Sequence, residues 1–420
     1  MKRSIKRILT THTGSLPRSE GLLRLLLAKE AGEPIDRAMF DTAVRDAVAE
    51  VIRKQADAGV DVINDGEMSK PGYSTYVKDR LSGFEGINPG MLAGTLGDIK
   101  DFPEFGARMF AQSPVANMKM PACNGAIRYR DTRDLETDIA NLKKAAVGVK
   151  AQELFMSAAS PGVISVFLPN QHYGSHKAYL AALADAMKTE YDAIYRAGLL
   201  LQIDCPDLAM NRHIQFADRK TSEFRKSAAM HVEALNHALA DVPAEAARLH
   251  LCWGNYEGPH HRDVPFKEIV DIVLKAKPAG ISFEASNPRH EHEWKLWQEV
   301  KLPAGKVLIP GVLDSSTNFI EHPDLIAERI VRFAKVAGRE NVIAGSDCGF
   351  STFAGFTAVD PAITWAKLRS MADGARIASR QLWRVPSISA SAAKPAKRGV
   401  TKSPKRGMTK RAKARTRRTK

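Results

Sequence analysis

His250-Leu251-Cys252 closes an apolar run, and Cys348 stands in Gly345-Ser346-Asp347-Cys348-Gly349 at the end of another. In a β-strand, residues two apart point to the same face, so the His250 and Cys252 side chains can converge on one ion. A cysteine from a distant strand end would add a third soft ligand. An H-x-C triplet is common and weak by itself. It gains weight only if the fold brings the strand ends together.

The elements that would do so are legible as a repeat. Short apolar runs at Ile8–Thr13, Val60–Asp65, Val163–Leu168, Leu199–Asp204, Arg248–Cys252, Gly280–Glu284, Lys306–Pro310 and Asn341–Gly345 read as strands. Between them, 3.6-residue periodicity predicts helices over Phe40–Ala58, Leu135–Met156, Tyr179–Arg196, Thr221–Ala240, Phe266–Leu274, Leu325–Val336 and Pro361–Arg380. This alternation predicts an α/β (β/α)8 TIM barrel spanning 1–385. The Gly- and Pro-rich stretch Ser82–Ala126 does not fit the repeat and is expected as an elaborated loop after strand 2, above the barrel mouth.

In such a barrel chemistry gathers at the C-terminal ends of the strands, where loops vary without disturbing the packed core. The ends read Thr13-Gly14-Ser15, Asp65-Gly66-Glu67, Asp204-Cys205, His250-Leu251-Cys252, Glu284-Ala285 and Asp347-Cys348, with ionisable groups where a core would want none. Two thiolates, an imidazole and a displaceable carboxylate suit Zn²⁺, giving a site of His250, Cys252, Cys348 and Glu284. If a substrate thiol displaces Glu284, the ion lowers that thiol's pKa from about 8.5, so the implied reaction is alkylation of a thiol.

Thr10-Thr11-His12-Thr13-Gly14-Ser15-Leu16-Pro17-Arg18, Asp65-Gly66-Glu67, Gln202-Ile203-Asp204, His250-Leu251-Cys252, Glu284, Pro310-Gly311-Val312-Leu313-Asp314 and Ser346-Asp347-Cys348-Gly349 resemble, in order, the catalytic barrel of cobalamin-independent methionine synthase. The resemblance spans roughly residues 8–380. It implies zinc at His250, Cys252, Glu284 and Cys348, a substrate carboxylate held at Gly14 and Ser15, and its ammonium at Glu67 and Asp204. Homocysteine is then the first acceptor to consider.

The chain departs from the family on the donor side. The Asp-Glu-Pro after the fourth strand becomes Asp204-Cys205-Pro206, no Trp lies between Ser160 and Tyr179, and the histidine expected two residues after Asp314 is Ser316. Asp314 keeps its place in that motif, and His260 or His261 is expected to supply the missing general acid. Single-barrel relatives, the epoxyalkane:coenzyme M transferases, offer an alternative with the same kind of zinc site. The donor stays unassigned, as does the oligomeric state.

Composition bounds the rest. The net charge of +15 lies almost wholly in residues 394–420, which carry 13 Lys and Arg and no Asp or Glu. That composition predicts a disordered basic tail over 386–420, able to bind polyanions weakly. A different class of reading makes the tail the functional part, in a nucleic-acid-associated protein with a vestigial barrel. Four widely spaced cysteines argue against a disulfide framework. With no apolar run of membrane-spanning length or signal-peptide core, the expectation is a cytoplasmic enzyme acting on small molecules.

Overall fold

The computed structural model describes residues 1–88, 96–111 and 120–383. The expected tail, 386–420, lies outside the described residues, as do Gly90 and Gly94 of the inserted loop. Eight strands form the fold: β1 (Leu9–Thr10), β2 (Val62–Ile63), β3 (Glu153–Ala159), β4 (Leu200–Asp204), β5 (Ala247–Leu251), β6 (Gly280–Phe283), β7 (Val307–Leu313) and β8 (Ile343–Ser346). Every paired neighbour is parallel, in the order β1-β8-β7-β6-β5-β4-β3-β2. The seam between β1 and β2 is closed by single bonds: Asp61 N donates to Thr10 O at 3.1 Å and Thr11 Oγ1 to Val62 O at 3.0 Å. The Asp61 carboxylate reinforces it, accepting from Thr10 N at 3.0 Å and from both Arg7 Nη atoms. The result is the expected (β/α)8 barrel.

One strand differs from the sequence reading. Val163–Leu168 is no strand; Pro161–Phe167 is a short buried helix. Ser160 caps it, its Oγ accepting from Val163 N at 2.9 Å, and Pro161 occupies the first turn, where a missing N–H costs nothing. A helix buried all round shows the same unbroken apolar run as a buried strand, so periodicity cannot separate them. The third strand is instead Glu153–Ala159, and the helix expected over Leu135–Met156 is Arg133–Ala145. Gly148, in the left-handed region at φ 75°, turns the chain between them.

The excursion lies between β2 and β3, as expected. Antiparallel bridges Leu81↔Tyr129 and Gly86↔Ala122 form its base. From it, Leu96 and Ile99 pack on Tyr256, with Phe105, Met109 and Ile214 beside them. Those contacts seat it on the loop that follows β5, over the C-terminal ends of the strands. Among the described residues no helix is long and apolar enough to cross a membrane.

Candidate metal centre

β5 and β8 deliver the ligands. His250 lies within β5, paired in register with Asp204 of β4 and Ser282 of β6. Cys252 follows two residues on, and Cys348 follows the end of β8. One ligand atom from each of the three residues falls within 4.8 Å of the others, and all three are buried. The imidazole is oriented by its two nitrogens: Nε2 is 3.6 Å from Cys348 Sγ, and Nδ1 is 3.4 Å from Ser282 Oγ. A partner on the far nitrogen fixes which nitrogen a metal would meet.

Burial pushes the His250 pKa down to about 4, the Asp204 carboxylate opposing and Arg248 assisting. The ring is therefore neutral at neutral pH, the form that ligates a metal. The Cys348 thiol is pushed well up, by its hydrogen bond with Cys252 and by burial. Without a cation the Cys348 thiol holds its proton; a divalent ion reverses that preference. Two thiols and a neutral imidazole, all three residues buried, are a fitting donor set for Zn²⁺.

Glu284 stands beside this trio rather than in it. Its Oε1 accepts from Trp253 N at 2.8 Å and its Oε2 from Asn287 Nδ2 at 2.5 Å. Burial, then the charge of Cys252, raises its pKa to about 8. Asp347 shapes the loop that carries these partners, accepting from the backbone N–H groups of Ala285, Ser286 and Asn287.

The three ligands open into a pocket of about 910 Å³, counting its mouth, which Ser15, Glu67 and Asp204 also line. Glu67 has a left-handed backbone at φ 59°; its Oε1 accepts from Ser157 Oγ at 2.6 Å. Its Oε2 is buried without a partner among the described residues. Asp204 is pushed up to about 7, by burial and then by the charge of Glu67. A site holding two such carboxylates is suited to a cation. Gly14 packs against this pair: at φ 146°, a Cβ there would lie 2.7 Å from Glu67 Oε1. Its N–H, expected to face a substrate carboxylate, instead donates to His12 Nδ1 at 3.2 Å.

Gly14 and Glu284 are not on the pocket lining, and three further residues expected near the chemistry lie outside it as well. Asp314 is occupied by its own loop, Oδ1 accepting from Ser316 N and Oγ and Oδ2 from Thr317 N and Oγ1. His260 is held by Asp263 at 2.8 Å and by Tyr256 O at 3.0 Å, and stacks on the Tyr256 ring. His261 bonds Asp101 of the excursion at 2.8 Å. The His260 ring braces its own loop, and His261 ties that loop to the excursion.

The sequence reading missed the aromatic wall of Tyr73, Phe167 and Phe353, which lines the same pocket. Tyr73 and Phe353 follow Glu67 and Cys348 within their βα loops, which was the available signal. Phe167 was hidden by its assignment to a strand.

A family model described as the cobalamin-independent synthase catalytic domain matches residues 169–376. The methionine synthase of Thermococcus kodakarensis is 24% identical over 376 residues, covering 89% of this chain and 94% of that protein. That of Saccharolobus solfataricus is 24% identical over 379 residues, covering 89% and 96%. Among solved structures, a B12-independent methionine synthase from Shewanella sp. W3-18-1, in complex with selenomethionine, superposes with a TM-score of 0.67. It is 20% identical and covers 90% of this chain and 99% of its own.

Proposed function

We propose, from the premise that this chain belongs to the cobalamin-independent methionine synthase family and is a methyltransferase, that it methylates the thiol of homocysteine. The observation that carries this is the opening of His250, Cys252 and Cys348 into one pocket with Glu67 and Asp204. Zinc, held by those three residues with Glu284 nearby, would supply the Lewis acidity that keeps a substrate thiol ionised at neutral pH.

The chain's own residues do the rest. Glu67, held by Ser157 and with one oxygen unpartnered, offers that oxygen to the amino acid's ammonium, and Asp204 shares the charge. Ser15, on the pocket wall and fixed to the β8 loop through Phe350 N and Ser351 N, offers its hydroxyl to the carboxylate. The excursion contributes Leu96 and Met109 to the apolar wall of the same pocket. The same acidic pair ranks the coenzyme M reading second, since that thiol carries a sulfonate and no ammonium.

Thiol selectivity tests this reading. The zinc-loaded protein should bind homocysteine roughly 10- to 100-fold tighter than 4-mercaptobutanoate, which lacks the ammonium, and Glu67→Gln should erase the difference. Equal binding of the two thiols by the unaltered protein would sink the amino-acid assignment. We also propose that the barrel, 1–385, carries the whole reaction and the basic tail none of it. A chain ending at residue 385 should keep its thiol-methylating activity and lose any retention on polyanions; loss of the activity would favour the tail-centred reading.

A further inference from the structure

Resting on the thiol-acceptor reading above, we infer that the methyl donor is an onium compound, a sulfonium or quaternary ammonium whose methyl is activated by the positive charge. Tyr73, Phe167 and Phe353 line the pocket that holds His250, Cys252 and Cys348. Their ring centroids are 5.4, 6.0 and 6.3 Å apart, and their planes are steeply inclined to one another, by 60°, 86° and 61°. Edge-to-face packing at these distances locks the rings together as an apolar corner, and a ring face turned to the pocket attracts a methylated cation.

The charge in the pocket agrees. Glu67 and Asp204 line it but are taken by the acceptor's ammonium in the reading above, and among the described residues no Lys or Arg lines it. The buried cations nearby are committed elsewhere: Lys70 Nζ donates to Ser157 O at 2.6 Å, and Arg18 donates to Glu67 O, Lys70 O and Ser351 O. Among the described residues the aromatic wall offers a donor's carboxylate or phosphate groups no side-chain counter-charge. An onium needs none, since ring faces attract it.

The step balances without a further reactant. The acceptor's thiol proton is released to water, and the thiolate sulfur attacks the methyl carbon opposite the leaving atom. A carbon–sulfur bond forms as the methyl's bond to the onium sulfur or nitrogen breaks, and that bond's electron pair stays on the leaving group. The donor departs as a neutral thioether or tertiary amine. Its loss of charge removes its attraction to the aromatic wall and favours release.

The test uses the full-length, zinc-loaded protein with homocysteine bound. Tetramethylammonium and trimethylsulfonium should each bind roughly tenfold tighter than the neutral isostere tert-butanol. Phe353→Leu should reduce that preference while bound metal and homocysteine affinity stay unchanged. Methyl label should then pass to homocysteine from at least one of the two cations, which identifies the donor atom. Three results would overturn the inference: equal binding of cation and isostere, a preference that survives Phe353→Leu, or transfer from neither cation. Methyl iodide separates the two readings. If it methylates bound homocysteine while both cations fail, the acceptor assignment stands and the onium donor falls; failure to bind homocysteine at all would instead remove the reading beneath.

Discussion

On one face of the loop after β5, His250 lies with two thiols and a serine hydroxyl; on the other, His260 and His290 both bond the carboxylate of Asp263, at 2.8 and 2.9 Å. Trp253 connects the two regions. Its backbone N–H holds Glu284, and its ring stacks on His290 at 3.9 Å. All three imidazoles are largely buried, so burial alone would push each pKa down. For His250 nothing outweighs it, and the pKa falls to about 4. For the other two, burial is overcome by Asp263, with Glu293 adding to His290, and they rise to about 9 and about 10. The same residue type is thus a neutral ring where its neighbours are thiols and a cation where they are carboxylates.

The sharpest way to break this contrast is on the ligand side. Cys252→Ser should abolish bound metal and cut activity by more than about 100-fold, since even residues behind metal ligands cost 10–100-fold. Elemental analysis and methyl transfer, measured on the same preparation, check it. Next in size is Asp263→Asn, which leaves His260, His290 and the nearby His213 facing an amide. Breaking a buried ion pair from one side costs about 3–5 kcal/mol. Denaturant unfolding should show that loss while the metal content of the folded protein stays unchanged.

The two regions also tilt stability in opposite directions with pH. His260 and His290 have folded pKa values above the free value, so their contribution is fully present below about pH 6.5 and is lost as pH rises through 9 to 10. Asp263, whose pKa is held far down by the three histidines against the effect of burial, contributes above about pH 4 and loses that contribution in acid. His250 behaves in reverse to its fellow histidines. Its folded pKa lies below the free value, so the metal-free protein loses stability as pH falls from about 6.5 toward 4. Thermal unfolding of metal-free protein across pH 4–10 should show both slopes, and Asp263→Asn should flatten the alkaline one. The smallest effect is expected from His261→Ala. Its pair with Asp101 is exposed to solvent, so metal content, activity and the unfolding midpoint should match the unaltered chain.

The contrast also marks what the sequence could show. Strand alternation and barrel topology were enough to foresee that His250, Cys252 and Cys348 converge, because a strand end dictates where its side chains point. Glu67 and Asp204 reached the same pocket for the same reason. Loop residues carry no such rule. Asp263 stands only three residues after His260, but no spacing rule in a loop says that it takes the ring nitrogen, and the Asp101 partner of His261 comes from an excursion far away along the chain. Asp314 has a local signal in Ser316 and Thr317, whose N–H and hydroxyl groups close a turn on its carboxylate. Phe167 was lost with the third strand, where an all-buried helix imitates a buried strand.

The central claim, that the thiol-lined side of this loop is a zinc site, meets its most direct test in the metal content of the purified protein. The account predicts about one zinc per chain in the unaltered protein and none in Cys252→Ser. Full thiol-methylating activity in protein shown to be metal-free would contradict it.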